Sequence, residues 1–164
     1  MKQKILSAFP DAAHDHVDCV RDAIAAAESV CGSHKARLTP LRKTVLGLVW
    51  DSHKPAGAYD ILEQLRAERD RVAPATVYRA LDFLIEHGLI HRIESLNAFV
   101  GCSDPRNPHS GQFMICQRCK TVAELADPDI HRAVEQRARS LGFAVDRQTV
   151  EVIGVCDACA ASTG

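Results

Sequence analysis

The stretch "PATVYRALDFLIEHGLIHRIES", Pro74 to Ser95, decides the fold. Val77, Ala80, Leu81, Leu84 and Ile85 recur at helical spacing, so they share one face of a helix. Pro74 suits the first helical position, where a missing N–H costs nothing, and His87-Gly88 suits its end. Beyond it, "LIHRIES" and "AFVGC" read as two strands of a hairpin, with Asn97 in the turn between them. Upstream, Val17, Val20, Ile24, Ala27 and Cys31 form an apolar stripe that Gly32 is expected to close. Thr39-Pro40 opens a second helix carrying Leu41, Val45, Leu48 and Val49 inward. Ala58 to Arg69 makes a third, with Ile61, Leu62 and Leu65 buried. Short helices followed by a hairpin are the winged form of the helix-turn-helix.

"SDPRNPHSG", Ser103 to Gly111, breaks this pattern with two Pro, two Ser, an Asn and a Gly, and reads as a linker. After it "QFMIC" and "TVAEL" read as strands. Asp127 to Leu141 reads as a helix with Ile130, Val134 and Ala138 on one side. "AVDRQTVEVIGVC" alternates like a longer strand. The second half is therefore a small α+β domain.

A chain of 164 residues with 46% hydrophobic and 25% charged residues fits one domain or two small ones. Two half-size domains would have thin cores and would gain from a metal or a partner subunit. Met1 to Phe9 shows no export signal, and no apolar run is long enough to span a membrane, so a cytoplasmic protein without membrane contact is expected. In that reducing setting seven cysteines point to metal binding or catalysis rather than to a disulfide framework. Net charge is −1, but residues 35–92 carry ten Lys and Arg against seven Asp and Glu, leaving a mildly basic middle between acidic ends.

Cys116-x-x-Cys119 is matched by Cys156-x-x-Cys159, each directly after an expected strand. Two such turns can offer four thiolates to one tetrahedral ion, and an all-sulfur closed set suits structural zinc. The 36 residues between the pairs exceed ordinary zinc-ribbon spacing, so the ion would staple the two ends of a domain together. A thiol redox pair at Cys116/Cys119 and four inert core cysteines are the competing readings. The redox reading fits two matched pairs poorly.

"ARLTPLRKTVL", "AYDILEQLR", the Pro74 stretch and the paired Cys-x-x-Cys motifs, in this order over residues 17–160, resemble the ferric uptake regulator family of metal-responsive repressors, and its zinc uptake branch in particular. The resemblance implies a winged-helix DNA-binding domain, a dimerisation domain, and one structural zinc per subunit. It also implies a second, regulatory metal at the domain junction, giving two Zn2+ per subunit. The expected organisation is an N-terminal extension (1–16), a winged-helix DNA-binding domain (17–102), a hinge (103–111) and a small α/β dimerisation domain with structural zinc (112–164). The class is α+β.

For the regulatory site, His91, Cys102, His109 and Glu124 are all zinc-competent donors that bracket the hinge. They match the His, Cys, His, Glu set that the resemblance implies. A thiolate among them favours zinc over iron or manganese. Iron-sensing relatives carry a His-rich run before the first Cys-x-x-Cys. Here only His109 stands in "PHSGQFMIC". Asp104 is near enough in sequence to replace Glu124 as the oxygen donor. Taken singly, His91 suits a wing hydrogen bond, Cys102 a buried apolar site and His109 a solvated loop.

For DNA, the outer face of the Pro74 helix holds Thr76, Tyr78 and Arg79. Arg79 suits bidentate guanine readout, and Thr76 and Tyr78 suit phosphates. Tyr59 matches a DNA-contacting position of the family, and Arg37 and Arg42 are candidate backbone contacts. His14, His16 and Cys19 resemble a ligand cluster, but a frayed terminus is the plainer reading. The expected protein is a zinc-responsive, sequence-specific transcriptional repressor of zinc uptake and homeostasis genes. It is expected to act as a homodimer on double-stranded operator DNA with dyad symmetry, and not as an enzyme. The alternative within the family is an iron-, manganese- or peroxide-responsive regulator. From other classes, a zinc hydrolase using the His91/Cys102/His109 set lacks any substrate-cradling motif.

Overall fold

The computed structural model describes residues 4–9, 15–69 and 71–162. It divides into two units, Pro10–Pro108 and a second that joins Met1–Phe9 to His109–Gly164. The class is α+β. The first described element, strand β1 (Lys4–Ser7), belongs to the second unit. It pairs antiparallel with a strand more than a hundred residues away. This corrects the expectation of a frayed terminus.

The first unit begins with α1 (His16–Ser33), whose N-cap Asp15 accepts a hydrogen bond from Val17 N–H at 2.9 Å. The helix runs past Gly32, and the chain instead turns at Lys35, whose φ of 54° is left-handed. In α2 (Pro40–Trp50) the Thr39 hydroxyl accepts from Arg42 N–H, the cap the sequence called for. A two-residue strand, β2 (Ala56–Gly57), then leads into α3 (Ala58–Glu68). The turn to α4 (Pro74–Glu86) passes through Arg71, also left-handed, and is held by Arg66 Nε donating to Val72 O at 3.1 Å. Gly88 ends α4 with φ +65°, and Leu89 N–H reaches back to Leu84 O at 2.8 Å.

Strands β3 (Ile90–Ile93) and β4 (Ala98–Gly101) form the hairpin, joined by a 3-10 turn at Glu94–Leu96 and by Asn97 in the left-handed region. With β2 they make a three-stranded sheet in the order β2-β4-β3. Val45, Leu46, Val49, Ile61, Leu65, Val77, Leu81 and Leu84 are buried in a single core with Ala27 and Cys31 of α1. Each such apolar side chain contributes about 1.5–3 kcal/mol relative to exposure. The edge of this packing is tight at Gly101. A Cβ there would lie 2.0 Å from the Trp50 indole, so only glycine fits beneath it.

The second unit is built on β5 (Gly111–Cys116), β6 (Val122–Ala126), α5 (Pro128–Ser140), β7 (Thr149–Gly154) and a short α6 (Asp157–Ala161). Its sheet order is β1-β6-β5-β7, with β7 parallel to β5 and the other pairs antiparallel. β7 is shorter than the alternation over 144–156 suggested, and α6 was not read from the sequence. Gln112, buried, spends its whole amide on Asp127: Nε2 donates to the carbonyl at 2.8 Å, and Oε1 accepts from the N–H at 3.0 Å. That ties β5 to the N-cap of α5.

Candidate functional site

The parallel register of β5 and β7 explains how the two Cys-x-x-Cys turns meet. Gly111 lies opposite Thr149, and Cys116 opposite Gly154, so both strands end at the same edge of the sheet. Each strand runs directly into its cysteine turn. Gln117 N–H donates to Gly154 O at 2.8 Å and carries the ladder one step further. Cys116, Cys119, Cys156 and Cys159 thereby place their sulfurs within 4.8 Å of one another. Cys119 Sγ and Cys156 Sγ stand 3.8 Å apart. Sulfurs around a tetrahedral zinc, each about 2.3 Å from the metal, are separated by about 3.8 Å.

Electrostatics within the cluster agree. Hydrogen bonds from the backbone of Cys156 and Cys119 hold the Cys116 thiol down at about 5. Its hydrogen bond to Cys156, followed by burial, pushes Cys159 up to about 12. One sulfur holds charge readily while its neighbour resists it, because crowded thiols repel one another when ionised together. A divalent ion removes that conflict, because all four then ligate as thiolates. The residues fit zinc.

The remaining metal donors are divided between the units. In the first, His91 and Cys102 share one face of the β3–β4 hairpin. His91 lies opposite Val100, and Cys102 follows two residues on, its N–H donating to Leu89 O at 3.1 Å. A ring nitrogen of His91 and the Cys102 sulfur are within 4.8 Å. In the second, His109 Nε2 and Glu124 Oε1 are 2.8 Å apart, and both side chains are nearly buried. A carboxylate so enclosed needs a partner. His109 is that partner here, and a cation would serve in its place. Asp104 sits elsewhere in its loop, where Oδ1 accepts from Asn107 Nδ2 at 2.8 Å.

On α4, Val77, Ala80, Leu81 and Leu84 face the core, while Ala75, Tyr78, Arg79 and Asp82 are exposed and Thr76 is half-buried. Ala73 offers no side-chain cap, so the start of α4 is left open to an anionic partner. Tyr59, 71% exposed, and Tyr78, 45% exposed, flank one shallow depression with Ala58, Leu62, Pro74 and Val77. Arg37 is exposed. Arg42 is occupied internally: its guanidinium lies 3.5 Å from the centre of the Phe83 ring, and Nη1 donates to Arg37 O at 2.5 Å. Arg42 thus braces the segment that presents Arg37. His14, grouped with His16 and Cys19 in the sequence, lies outside the described residues.

The model of the ferric uptake regulator family matches residues 33–153, most of the chain. The chain belongs to the ferric uptake regulator family. Among its relatives is the zinc uptake regulation protein of Escherichia coli (strain K12), 38% identical over 140 residues, covering 85% of this chain and 82% of that protein. A solved zinc uptake regulator complexed with zinc and DNA superposes with a TM-score of 0.83 at 37% identity, covering 87% of this chain and 96% of that one. Holo XcZur superposes with a TM-score of 0.78 at 46% identity, covering 88% and 98%. Family membership makes the chain a member of a group of DNA-binding transcription regulators. Among its described residues no helix is long and apolar enough to cross a membrane.

Two features lay beyond sequence reasoning. Gln112 gave no signal, because a buried glutamine is recognised only by its partners. The approach of His53 to His16 joins residues with no local relation in sequence.

Proposed function

We propose that this chain is a zinc-responsive, sequence-specific transcriptional repressor of zinc uptake and homeostasis genes. It acts in the cytoplasm as a homodimer on operator DNA with dyad symmetry and performs no catalysis. The observation that carries the reading is the chemistry of the two donor sets. Cys116, Cys119, Cys156 and Cys159 form a closed sulfur set inside one unit, suited to permanent structural zinc. His91 and Cys102 in one unit, and His109 and Glu124 in the other, form two half-sets that supply a complete zinc-competent site only in combination. Two Zn2+ per subunit follow.

Zinc held by that second set supplies a tie between the units. Cys102 provides the thiolate that selects zinc against iron and manganese, Glu124 the oxygen, and the two histidines the nitrogens. Shifting a population from 1:99 to 99:1 toward the DNA-binding state takes about 5.5 kcal/mol of preferential binding. Four ligands across a hinge are commensurate with that demand. On the DNA, Arg79 reads a base edge, and Thr76, Tyr78, Tyr59 and Arg37 hold phosphates, with Arg42 bracing Arg37. The exposed apolar surface of α5 and β7 is where the second copy packs.

The test is elemental analysis of zinc before and after mild chelation, with operator binding on the same samples. Two zinc per subunit are expected, one lost easily together with operator binding. Operator binding that follows added Fe2+ or Mn2+ but not zinc would move the protein to another branch of the family.

A further inference from the structure

Trp50 and Gly101 stand behind the donor pair of the first unit. Side chains alternate along β4, so Phe99 and Gly101 face one side of the hairpin, while Val100 and Cys102 face the other. His91, opposite Val100, shares the outer side with Cys102. Phe99 lies in the buried core on the inner side. Gly101 therefore turns inward as well, toward Trp50, the last residue of α2, which packs against that core.

The fit there is close. A Cβ on Gly101 would meet three indole atoms, Cε2 at 2.0 Å, Nε1 at 2.2 Å and Cζ2 at 2.5 Å. All three belong to one rigid plane, with no flexible end to swing aside. Ordinary contact begins at 3.4 Å, so a methyl group would part ring and strand by about 1.4 Å. The strand end has little freedom of its own. Gly101 pairs with Ile90 across the hairpin, and Cys102 N–H donates to Leu89 O at 3.1 Å. The backbone of Gly101 is thus clamped between α2 and β3, and the buried Cys102 thiol is carried on the next residue. A zinc–sulfur bond of about 2.3 Å tolerates about 0.2 Å, several times less than the displacement that a methyl group would impose.

We infer, on the function proposed above, that Trp50 and Gly101 are positioning residues for the regulatory zinc: the indole backs β4 and sets where Cys102 presents its sulfur beside His91. The donor pair is then in place before the ion arrives, and zinc binding need not order the strand. Removing the indole leaves β4 unbacked, and adding a methyl group pushes it outward. Either change moves the thiol.

The experiment measures affinity for the chelatable zinc, by competition with a chromophoric chelator, on the full chain. It compares wild type, Trp50→Ala, Gly101→Ala and the double variant, with circular dichroism and the count of tightly held zinc checking that each is folded. Gly101→Ala is expected to weaken the chelatable zinc at least about ten-fold. In the Trp50→Ala background the same change is expected to cost nothing further, because the atoms it collides with are gone. General loosening of the unit would add the two losses instead. A Gly101→Ala protein that binds zinc like wild type, or a loss equal with and without the indole, would overturn the positioning role. Should Gly101→Ala not fold, Trp50→Ala alone decides: affinity about ten-fold weaker is expected, and undiminished affinity would overturn the role. A wild type without any chelatable zinc would overturn the regulatory site itself, and the positioning with it.

Discussion

The two units of this chain reach stability by different means. The DNA-binding unit has a continuous apolar interior to which α1, α2, α3 and α4 all contribute. In the second unit the buried apolar residues are few, chiefly Phe113, Ile115, Val122 and Ala123 together with Cys116 and Cys156, and α5 buries none of its residues. Instead the second unit displays Leu141 (83% exposed), Phe143 (62%) and Ile153 (59%), with Val134 and Val152 nearby. β7 is also an edge strand, and an apolar edge left open invites another chain to cover it. A unit of this size with so thin a core depends on a staple and a partner. The first unit stands on hydrophobic burial, and the second, on the function proposed above, on metal and association.

That contrast can be broken in four places. The largest effect is expected from the sulfur cluster. Structural zinc sites of this kind are worth about 10–16 kcal/mol, so Cys116→Ser should abolish the dimer and the sheet of the second unit. The helical circular dichroism of the first unit should persist. Sedimentation that still shows a dimer with unchanged melting would remove the staple. Next comes Leu81→Ala in the other core, expected to cost about 2–5 kcal/mol in urea unfolding of the first unit. Tightly held zinc should stay at the wild-type count. Loss of that zinc as well would mean that the units do not unfold separately.

A smaller effect, about 2 kcal/mol, is expected for Phe143→Ala on dimer dissociation measured by analytical ultracentrifugation. An unaltered dissociation constant would place the partner elsewhere. The smallest belongs to Arg79→Ala, expected to weaken specific operator binding by about 1–3 kcal/mol and to relax preference at one base position. Zinc content and dimerisation should not move, and intact operator affinity would take Arg79 out of base readout.

Legibility in the sequence followed the range of the interactions. α4 was readable because its apolar spacing is local and its ends carry Pro74 and Gly88. Thr39 announced α2 for the same reason. The cysteine turns were readable as pairs, while their meeting depends on the parallel register of β5 with β7, which no local pattern encodes. β1 and β2, of four and two residues, are too short for alternation to register and exist only through distant partners. Gly32 was a reasonable helix stop, yet α1 continues and Lys35 takes the left-handed turn. The seat of Arg42 over Phe83 was not legible either, because the two residues lie far apart in the sequence.

Trp50 is the single tryptophan of the chain, and its indole rests on Gly101, the residue before Cys102. The protein therefore carries its own optical gauge. Light absorbed near the end of β4 is emitted by one chromophore, and on the function proposed above its surroundings change when Cys102 takes up zinc. An open-shell ion such as cobalt, taken up there, would dim that emission by energy transfer. Zinc, with a filled d shell, would only shift its colour. With Cys102 as the ligand proposed above, its occupancy is expected to be readable in unlabelled protein by fluorescence alone.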